Sequence, residues 1–138
     1  MPSPARSTSP SGSASAVRRR RFERLVARAL AEIPPPYSEW LENIDIVVED
    51  RPSRRHLAEA GIPPDELLFG LYEGVPLTER SSDYGLVLPD KITIFQEPLE
   101  REFRLEDDLV EEVRVTVLHE LAHHFGISDD ELERLGLD

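Results

Sequence analysis

The sequence predicts an α+β domain, and three observations predict it. A stretch near the N-terminus has helical periodicity, two short stretches in the middle alternate as strands do, and a long periodic helix follows from residue 106. The order is helix, strands and then helices, with too few β–α alternations for a doubly wound parallel sheet. At 138 residues the chain can form one domain with a core and is too short for two.

The N-terminal 16 residues differ in composition from the rest of the chain. They are almost all serine, proline, alanine and glycine. Such a segment buries too little apolar surface to offset the entropy of ordering. We therefore predict a disordered tail over residues 1–16 and a folded domain over 17–138.

Charge is unevenly distributed along the chain. Five arginines and no acid precede residue 22, and removing them from the 16 basic residues leaves 11 against 28 acids, a charge of −17. A body this acidic repels phosphate backbones, so we expect no nucleic-acid partner.

Cysteine is absent, which excludes thiolate ligands and a cysteine nucleophile. We see no targeting segment and no apolar run long enough for a bilayer, and we expect a cytoplasmic protein without membrane contact.

The first predicted elements are a helix and a strand. Apolar residues recur at three- and four-residue spacing over residues 22–33, and three prolines at 34–36 stop the helix. The stretch "NIDIVVED" places Ile44, Ile46 and Val48 on one face of a strand.

The middle of the chain is more broken. Prolines and a glycine interrupt residues 51–66, and residues 67–80 are typical of a short strand and turn. Apolar and polar residues alternate within residues 91–100, and the pattern ends at Pro98. Proline is confined to sheet edges, so this predicts a short strand at or near an edge. Beside the long helix, such a strand could pair with an extended substrate.

Two helices are predicted at the C-terminal end. The first spans residues 106–125 and ends at Gly126. Ser128 with Glu131 three residues later predicts a capping box that starts a final helix through Leu135.

The long helix carries the pattern H-E-x-x-H. His119 and His123 lie side by side on a face opposite the apolar arc of Val110, Val113, Val117, Leu118, Leu121 and Phe125. Two imidazoles on adjacent turns of one helix face can bind one metal ion, as tetrahedral zinc requires. Glu120 is one step round, where its carboxylate reaches a water molecule without coordinating the metal.

A third ligand is expected after the helix. Gly126 allows a sharp turn, and the spacing H-E-x-x-H-x-x-G-x-x-D favours Asp129, whereas Asp130 would serve if the turn were one residue longer. His124 points towards the apolar side and is expected either to lie in the core or to pack beside the site. His56 lies in a basic stretch and is interpreted as a surface residue.

The sequence resembles the small zincin-like metallopeptidases of bacteria, which have a minimal metalloprotease domain. The resemblance covers about residues 22–138 and depends on "LLFGLYEGVPLTER", "ITIFQEPLE" and "VTVLHELAHHFGISDDEL". It implies a compact α+β zincin-like fold in which a small sheet packs on the H-E-x-x-H helix. It also implies His119 and His123 as zinc ligands, Glu120 as the base and a downstream aspartate as the third ligand.

The sequence therefore predicts a zinc-dependent peptidase that acts on a peptide or protein. Zinc bound by His119, His123 and Asp129 would keep one position open for water, and Glu120 would act as general base. Tyr72 and Tyr84 are candidates by residue type for stabilising the oxyanion. Two alternatives stay open, a non-catalytic metal-binding interaction module and a metal-dependent ribonuclease. Glu120 and the acidic body count against the ribonuclease.

The two aspartates are separable by mutation. We expect Asp129→Ala to weaken zinc binding far more than Asp130→Ala, because Asp130 would contribute only a helix-end effect of about 0.5–1 kcal/mol. Calorimetric titration of each variant with zinc measures the difference. An equal loss, or a larger loss for Asp130→Ala, would show that the turn is one residue longer than predicted.

Overall fold

The structure is a computed structural model that describes residues 10–63, 65–74 and 90–134, without the side chains of residues 10–13 and 129. The prediction of an α+β fold is confirmed. Its elements in chain order are α1 (Pro10–Ala31), α2 (Tyr37–Trp40), a 3-10 helix (Leu41–Asn43), β1 (Ile44–Glu49), α3 (Arg54–Ala60), β2 (Gly70–Glu73), β3 (Asp90–Phe95), α4 (Gln96–Glu102), α5 (Glu106–Phe125) and α6 (Asp129–Arg134).

Helix α1 begins earlier than the sequence indicated. It starts at Pro10, so residues 10–16 continue the helix where a disordered tail was predicted, and residues 1–9 lie outside the described part of the chain. Once the buried face around Phe22 and Val26 holds the helix, each added turn needs no new nucleus. A proline is also tolerated in a first turn, where its missing N–H would lack a helical partner anyway.

The sheet has the order β1-β3-β2. Strand β3 is central, parallel to β1 with Ile46 opposite Ile92, and antiparallel to β2 with Tyr72 opposite Ile92. The prediction that the strand near Pro98 lies at an edge is therefore wrong. Among the described strands the edges are β1 and β2, and β3 has no open side on which a substrate could pair.

The predicted edge strand was wrong because Pro98 belongs to a helix. Strand β3 ends at Phe95, and Pro98 is the third residue of α4, where its lack of an N–H removes no helical hydrogen bond. Pro98 and the neighbouring Leu99 are buried. The proline therefore marks the start of a helix and not an exposed strand edge.

Helix α3 was not predicted, and it changes the interpretation of His56. Ser53 and His56 form a capping box, in which the Ser53 N–H donates to His56 Nδ1 at 3.0 Å and the His56 N–H donates to Ser53 Oγ at 3.1 Å. The imidazole is 3 % exposed and lies 5.0 Å from the Phe95 ring, measured between centroids. His56 is thus a buried cap on the sheet face opposite α5, and its assignment to the surface was wrong.

Helices α1 and α5 pack against each other and against one face of the sheet. Phe22, Ala29, Val113, Val117 and Leu121 are fully buried in this core. Salt bridges from α1 to the first turn of α5 link the helices at the surface, including Arg28 to Asp107 at 2.9 Å. Such exposed pairs contribute about 0–1 kcal/mol each, so apolar burial dominates the helix pairing.

The predicted apolar arc of α5 is confirmed except at its end. Phe125 is 48 % exposed and packs against Trp40 with ring centroids 5.3 Å apart.

Within the described residues, no helix is long and apolar enough to cross a membrane.

Strand β2 approaches α5 so closely that one position needs glycine. A Cβ atom at Gly70 would lie 2.6 Å from Thr116 Cγ2 on α5 and 3.2 Å from the Thr93 carbonyl oxygen on β3. The absence of a side chain at Gly70 therefore sets the spacing between the edge strand and the helix.

We expect Gly70→Ala to lower the free energy of unfolding by about 1–3 kcal/mol, the usual cost of overpacking. The double variant Gly70→Ala/Thr116→Ser, which removes the opposing methyl group, should recover part of this loss. Denaturant unfolding of the two variants and of Thr116→Ser measures the coupling. A Gly70→Ala variant as stable as the original protein would contradict the close approach.

Candidate metal centre

Three residues of the H-E-x-x-H pattern lie together in the last two turns of α5. His123 is exposed, with 75 % of its side chain accessible, and its Nδ1 lies 4.0 Å from Glu120 Oε2. His119 is half-buried one turn before it. Because residues four apart are neighbours on a helix face, both imidazoles lie on the same side of α5.

Glu120 is held by the edge strand of the sheet. Its Oε1 accepts a hydrogen bond of 2.8 Å from the backbone N–H of Tyr72 on β2. Just before β2, the Phe69 carbonyl accepts a hydrogen bond from the Phe95 N–H on β3. In an antiparallel pair every second residue bonds to the neighbouring strand, and Tyr72 is not in the set that includes Phe69. The N–H of Tyr72 therefore points away from β3, to the edge of the sheet. Glu120 thus accepts from a main-chain N–H that has no hydrogen-bond partner within the sheet.

Burial changes the acidity of this carboxyl group. The side chain of Glu120 is 16 % exposed. Burial raises the pKa of Glu120 above its ordinary value, and the Tyr72 N–H and the two neighbouring histidines oppose this rise. The environment of Glu120 therefore favours the protonated carboxyl more than solvent does.

Tyr72 also anchors the far end of the site through its side chain. Its hydroxyl donates a hydrogen bond of 2.6 Å to Asp90 Oδ2, and its ring stacks on the His124 imidazole with centroids 3.6 Å apart. A Cβ at Gly74 would lie 3.1 Å from His124 Nε2. His124 therefore lies beside the site, stacked on β2 with an exposed side chain, and the alternative of a core position is wrong.

The segment after α5 turns as the sequence predicted. Gly126 has φ of 69°, in the left-handed region, and its N–H donates to the Ala122 carbonyl. The Glu131 N–H donates to Ser128 Oγ at 3.1 Å, which is half of the predicted capping box. The Glu131 carboxylate instead accepts from the Tyr37 hydroxyl.

The candidate third ligands, Asp129 and Asp130, lie at the start of α6. Asp129 begins α6, but its side chain is outside the described part of the structure, and the Asp130 side chain is exposed. Among the side chains that are described, no three of His, Asp or Glu converge on one point. Asp129 therefore stays a prediction as the third ligand.

The described donors suit zinc. Two imidazoles stand one turn apart on a solvent-accessible helix face, and the adjacent carboxylate is occupied by a main-chain donor. Neutral imidazole nitrogens are preferred zinc ligands, and a catalytic site needs three protein ligands with one open position. His119 and His123 supply two of these ligands, and the segment after Gly126 would supply the third.

Sequence reasoning missed how Tyr72 contributes. It was selected by residue type as an oxyanion candidate, whereas its hydroxyl donates to Asp90 and its backbone N–H binds Glu120. The pairing joins residues 48 positions apart. No local pattern indicates which main-chain group an edge strand leaves open, so the sequence carried no signal for it. The other candidate, Tyr84, lies outside the described residues.

Comparison with known proteins agrees with the fold and identifies the family. A family model described as a zincin-like metallopeptidase matches residues 41–137, more than half of the chain. Among solved structures, a conserved hypothetical protein from Thermo thermophilus has a TM-score of 0.52 and 22 % identity, covering 78 % of this chain and 92 % of that chain. At this identity the likeness supports the fold alone. No curated protein matches the chain.

The raised pKa of Glu120 predicts a pH-dependent effect on stability. Below about pH 4, the ordinary range of a glutamate, the carboxyl is protonated in both folded and unfolded chains. As pH rises towards neutrality the unfolded chain ionises first, so the folded protein loses stability. In metal-free protein, Glu120→Gln should therefore gain stability over the original protein towards neutral pH and not at low pH.

Denaturant unfolding at several pH values measures this difference, with exposed Glu133→Gln as the control for net charge. A stability difference for Glu120→Gln that shrinks as pH rises would contradict the burial effect.

Proposed function

Because the chain belongs to the zincin-like metallopeptidase family, we propose that it is a zinc-dependent peptidase that hydrolyses peptide bonds with Glu120 as general base. The observation that carries the proposal is the placement of Glu120. Its Oε1 is held by the Tyr72 N–H, while its Oε2 lies 4.0 Å from His123 Nδ1. One oxygen is fixed by the sheet, and the other faces the histidine that would bind the metal.

His119, His123 and Asp129 are the residues that would hold zinc. A bound zinc ion would lower the pKa of a water molecule and polarise the substrate carbonyl. The contact with Tyr72 keeps one oxygen of Glu120 engaged with the protein backbone. This favours Glu120 as a base over Glu120 as a ligand.

Glu120 moves the proton. As water attacks the carbonyl carbon, the oxygen–carbon bond forms and Oε2 accepts the proton that water loses. When the carbon–nitrogen bond breaks, the same oxygen delivers this proton to the leaving amine. A buried carboxyl with a raised pKa retains a proton better than an exposed one, which suits it to the second step.

The substrate strand predicted within residues 91–100 is replaced by β2 in this proposal. Strand β2 is the edge strand next to α5, and Tyr72 on it contacts Glu120. An extended peptide on this edge would lie beside the histidines and would bond to main-chain groups of β2 other than the Tyr72 N–H, which Glu120 occupies.

A non-catalytic metal-binding module is the second candidate. The Glu120–Tyr72 hydrogen bond also supports it, because the same contact joins α5 to the edge strand and would be useful without any reaction. The ribonuclease alternative is weaker, since the chain's 28 acids against 16 basic residues disfavour a phosphate backbone.

Two variants separate catalysis from metal binding. His119→Ala should abolish the uptake of about one zinc per chain, because it removes one of two imidazole ligands. Glu120→Gln should keep the zinc and lose hydrolysis by at least about 10²-fold, the usual contribution of a general base. Metal analysis and cleavage of a peptide library measure the two properties.

If the Gln variant cleaved as fast as the original protein, Glu120 would not be the base. Zinc binding by the original protein without cleavage of any peptide would favour the non-catalytic module.

A further inference from the structure

The edge of the sheet away from the candidate metal centre is open. On β3, alternate residues bond to β2, as the Phe95 N–H does to the Phe69 carbonyl. The other residues of β3 bond to β1, and Ile46 lies opposite Ile92 in this parallel pair. In a parallel pair a residue bonds to the neighbours of the residue opposite it, so β3 bonds to the odd-numbered residues of β1. The main-chain groups of Ile46 and Val48 therefore point away from the sheet.

One contact supports this assignment independently. Nη1 of Arg19 on α1 donates to the Val48 carbonyl at 3.2 Å, so that carbonyl faces outwards. Within the residues that the structure describes, this is the one hydrogen bond to the outer edge of β1. Among the described parts of the chain nothing bonds to the Ile46 N–H, the Ile46 carbonyl or the Val48 N–H, which are left for a partner.

An apolar groove runs beside this open edge. It has a volume of about 500 Å³ and lies between α1 and β1. Its walls are mainly aliphatic and include Val26, Leu30, Ile46 and Val48. Ile46 and Val48 are only partly buried, although their side chains pack towards the core. An extended chain on this edge would place every second side chain in the groove.

The other face of β1 is acidic. Side chains alternate along a strand, so Asp45, Val47 and Glu49 lie on the face away from α1. Asp45 is exposed and has Lys91 as its register neighbour on β3, where Lys91 lies 3.9 Å from Glu73. Glu49 is half-buried, and neither acid forms a salt bridge with a side chain in the described ranges. A strand paired with β1 would set its other side chains beside these two carboxylates.

We propose that the α1–β1 groove binds an extended segment of a partner protein by strand addition, and that this segment alternates apolar and basic residues. The apolar side chains enter the groove, and the basic ones meet Asp45 and Glu49. The surface lies at β1 and the candidate metal centre lies beyond β2, and these two edge strands are about 10 Å apart. The proposal therefore does not depend on the proposed catalytic activity.

A second copy of this chain fits the surface less well. Two β1 strands paired antiparallel about Val47 would place Asp45 of one copy opposite Glu49 of the other. Like charges directly opposite on a sheet are destabilising. The acidic strip thus disfavours self-pairing in that register and favours a basic partner.

The test uses a labelled peptide of alternating lysine and valine and the full chain, with binding followed by fluorescence anisotropy. We expect saturable binding that weakens at least tenfold in Ile46→Pro, which removes an outward N–H and no bond to β3. Ile46→Val keeps that N–H and is the matched control. Circular dichroism and unfolding of both variants establish that β1 is intact.

Two further comparisons test orientation and charge. N-methylation of the peptide amides at the lysines or at the valines should abolish binding for one set alone, because only one set faces β1. The double variant Asp45→Lys/Glu49→Lys should prefer a glutamate–valine peptide over the lysine–valine peptide.

Absence of saturable binding, equal effects of both methylated peptides, or binding that Ile46→Pro leaves unchanged would overturn the proposal. So would a dimer in sedimentation that Ile46→Pro dissociates, since the occupant would then be a second copy.

Discussion

The hydrogen bond between the Tyr72 N–H and Glu120 is the contact on which the site depends. It joins the edge strand β2 to helix α5 at 2.8 Å and satisfies a donor that the sheet leaves open. A buried carboxylate is costly without such partners, and hydrogen bonds to charged groups contribute about 1.5–3 kcal/mol. The bond therefore stabilises the Glu120 carboxylate and fixes where that carboxylate lies relative to the two histidines.

Several packing features make this contact possible. Gly70 allows β2 to approach Thr116 on α5, and the stacked rings of Tyr72 and His124 hold the strand beyond Glu120. The buried side of α5 is fixed by α1, which leaves the face with His119 and His123 towards solvent. The helix thus carries a core on one side and the candidate metal centre on the other.

The two edges of the sheet have different neighbours, and this difference separates their roles. At β2 the open edge meets a helix that presents a carboxylate and two imidazoles. At β1 the edge meets an aliphatic groove, and among the described side chains Arg19 bonds to its outer side at the Val48 carbonyl. Long open edges invite pairing with other chains unless they are covered or charged, and Asp45 and Glu49 supply the charge here.

Local patterns predicted what depends on local interactions. Helix α5 was predicted with its bounds at residues 106 and 125 and its cap at Gly126, because periodicity and a left-handed glycine are visible in the sequence. The position of His119, Glu120 and His123 followed from the same helix.

Features that depend on distant residues were not predictable in this way. Pro98 suggested an edge strand because its helical context was unknown, and His56 looked exposed because Phe95 lies far along the chain. The bond from Tyr72 to Glu120 depends on which side of β2 the sheet leaves open. The side chain of Asp129 is not described, so the third ligand still depends on the sequence spacing.

The most direct test of the account is zinc-edge X-ray absorption spectroscopy of the zinc-loaded protein. The account predicts two imidazole nitrogens at about 2.0–2.1 Å together with oxygen ligands. It also predicts an unchanged spectrum in Glu120→Gln, because Glu120 binds the Tyr72 N–H and not the metal. A spectrum without imidazole scattering, or one that loses a ligand in Glu120→Gln, would contradict it.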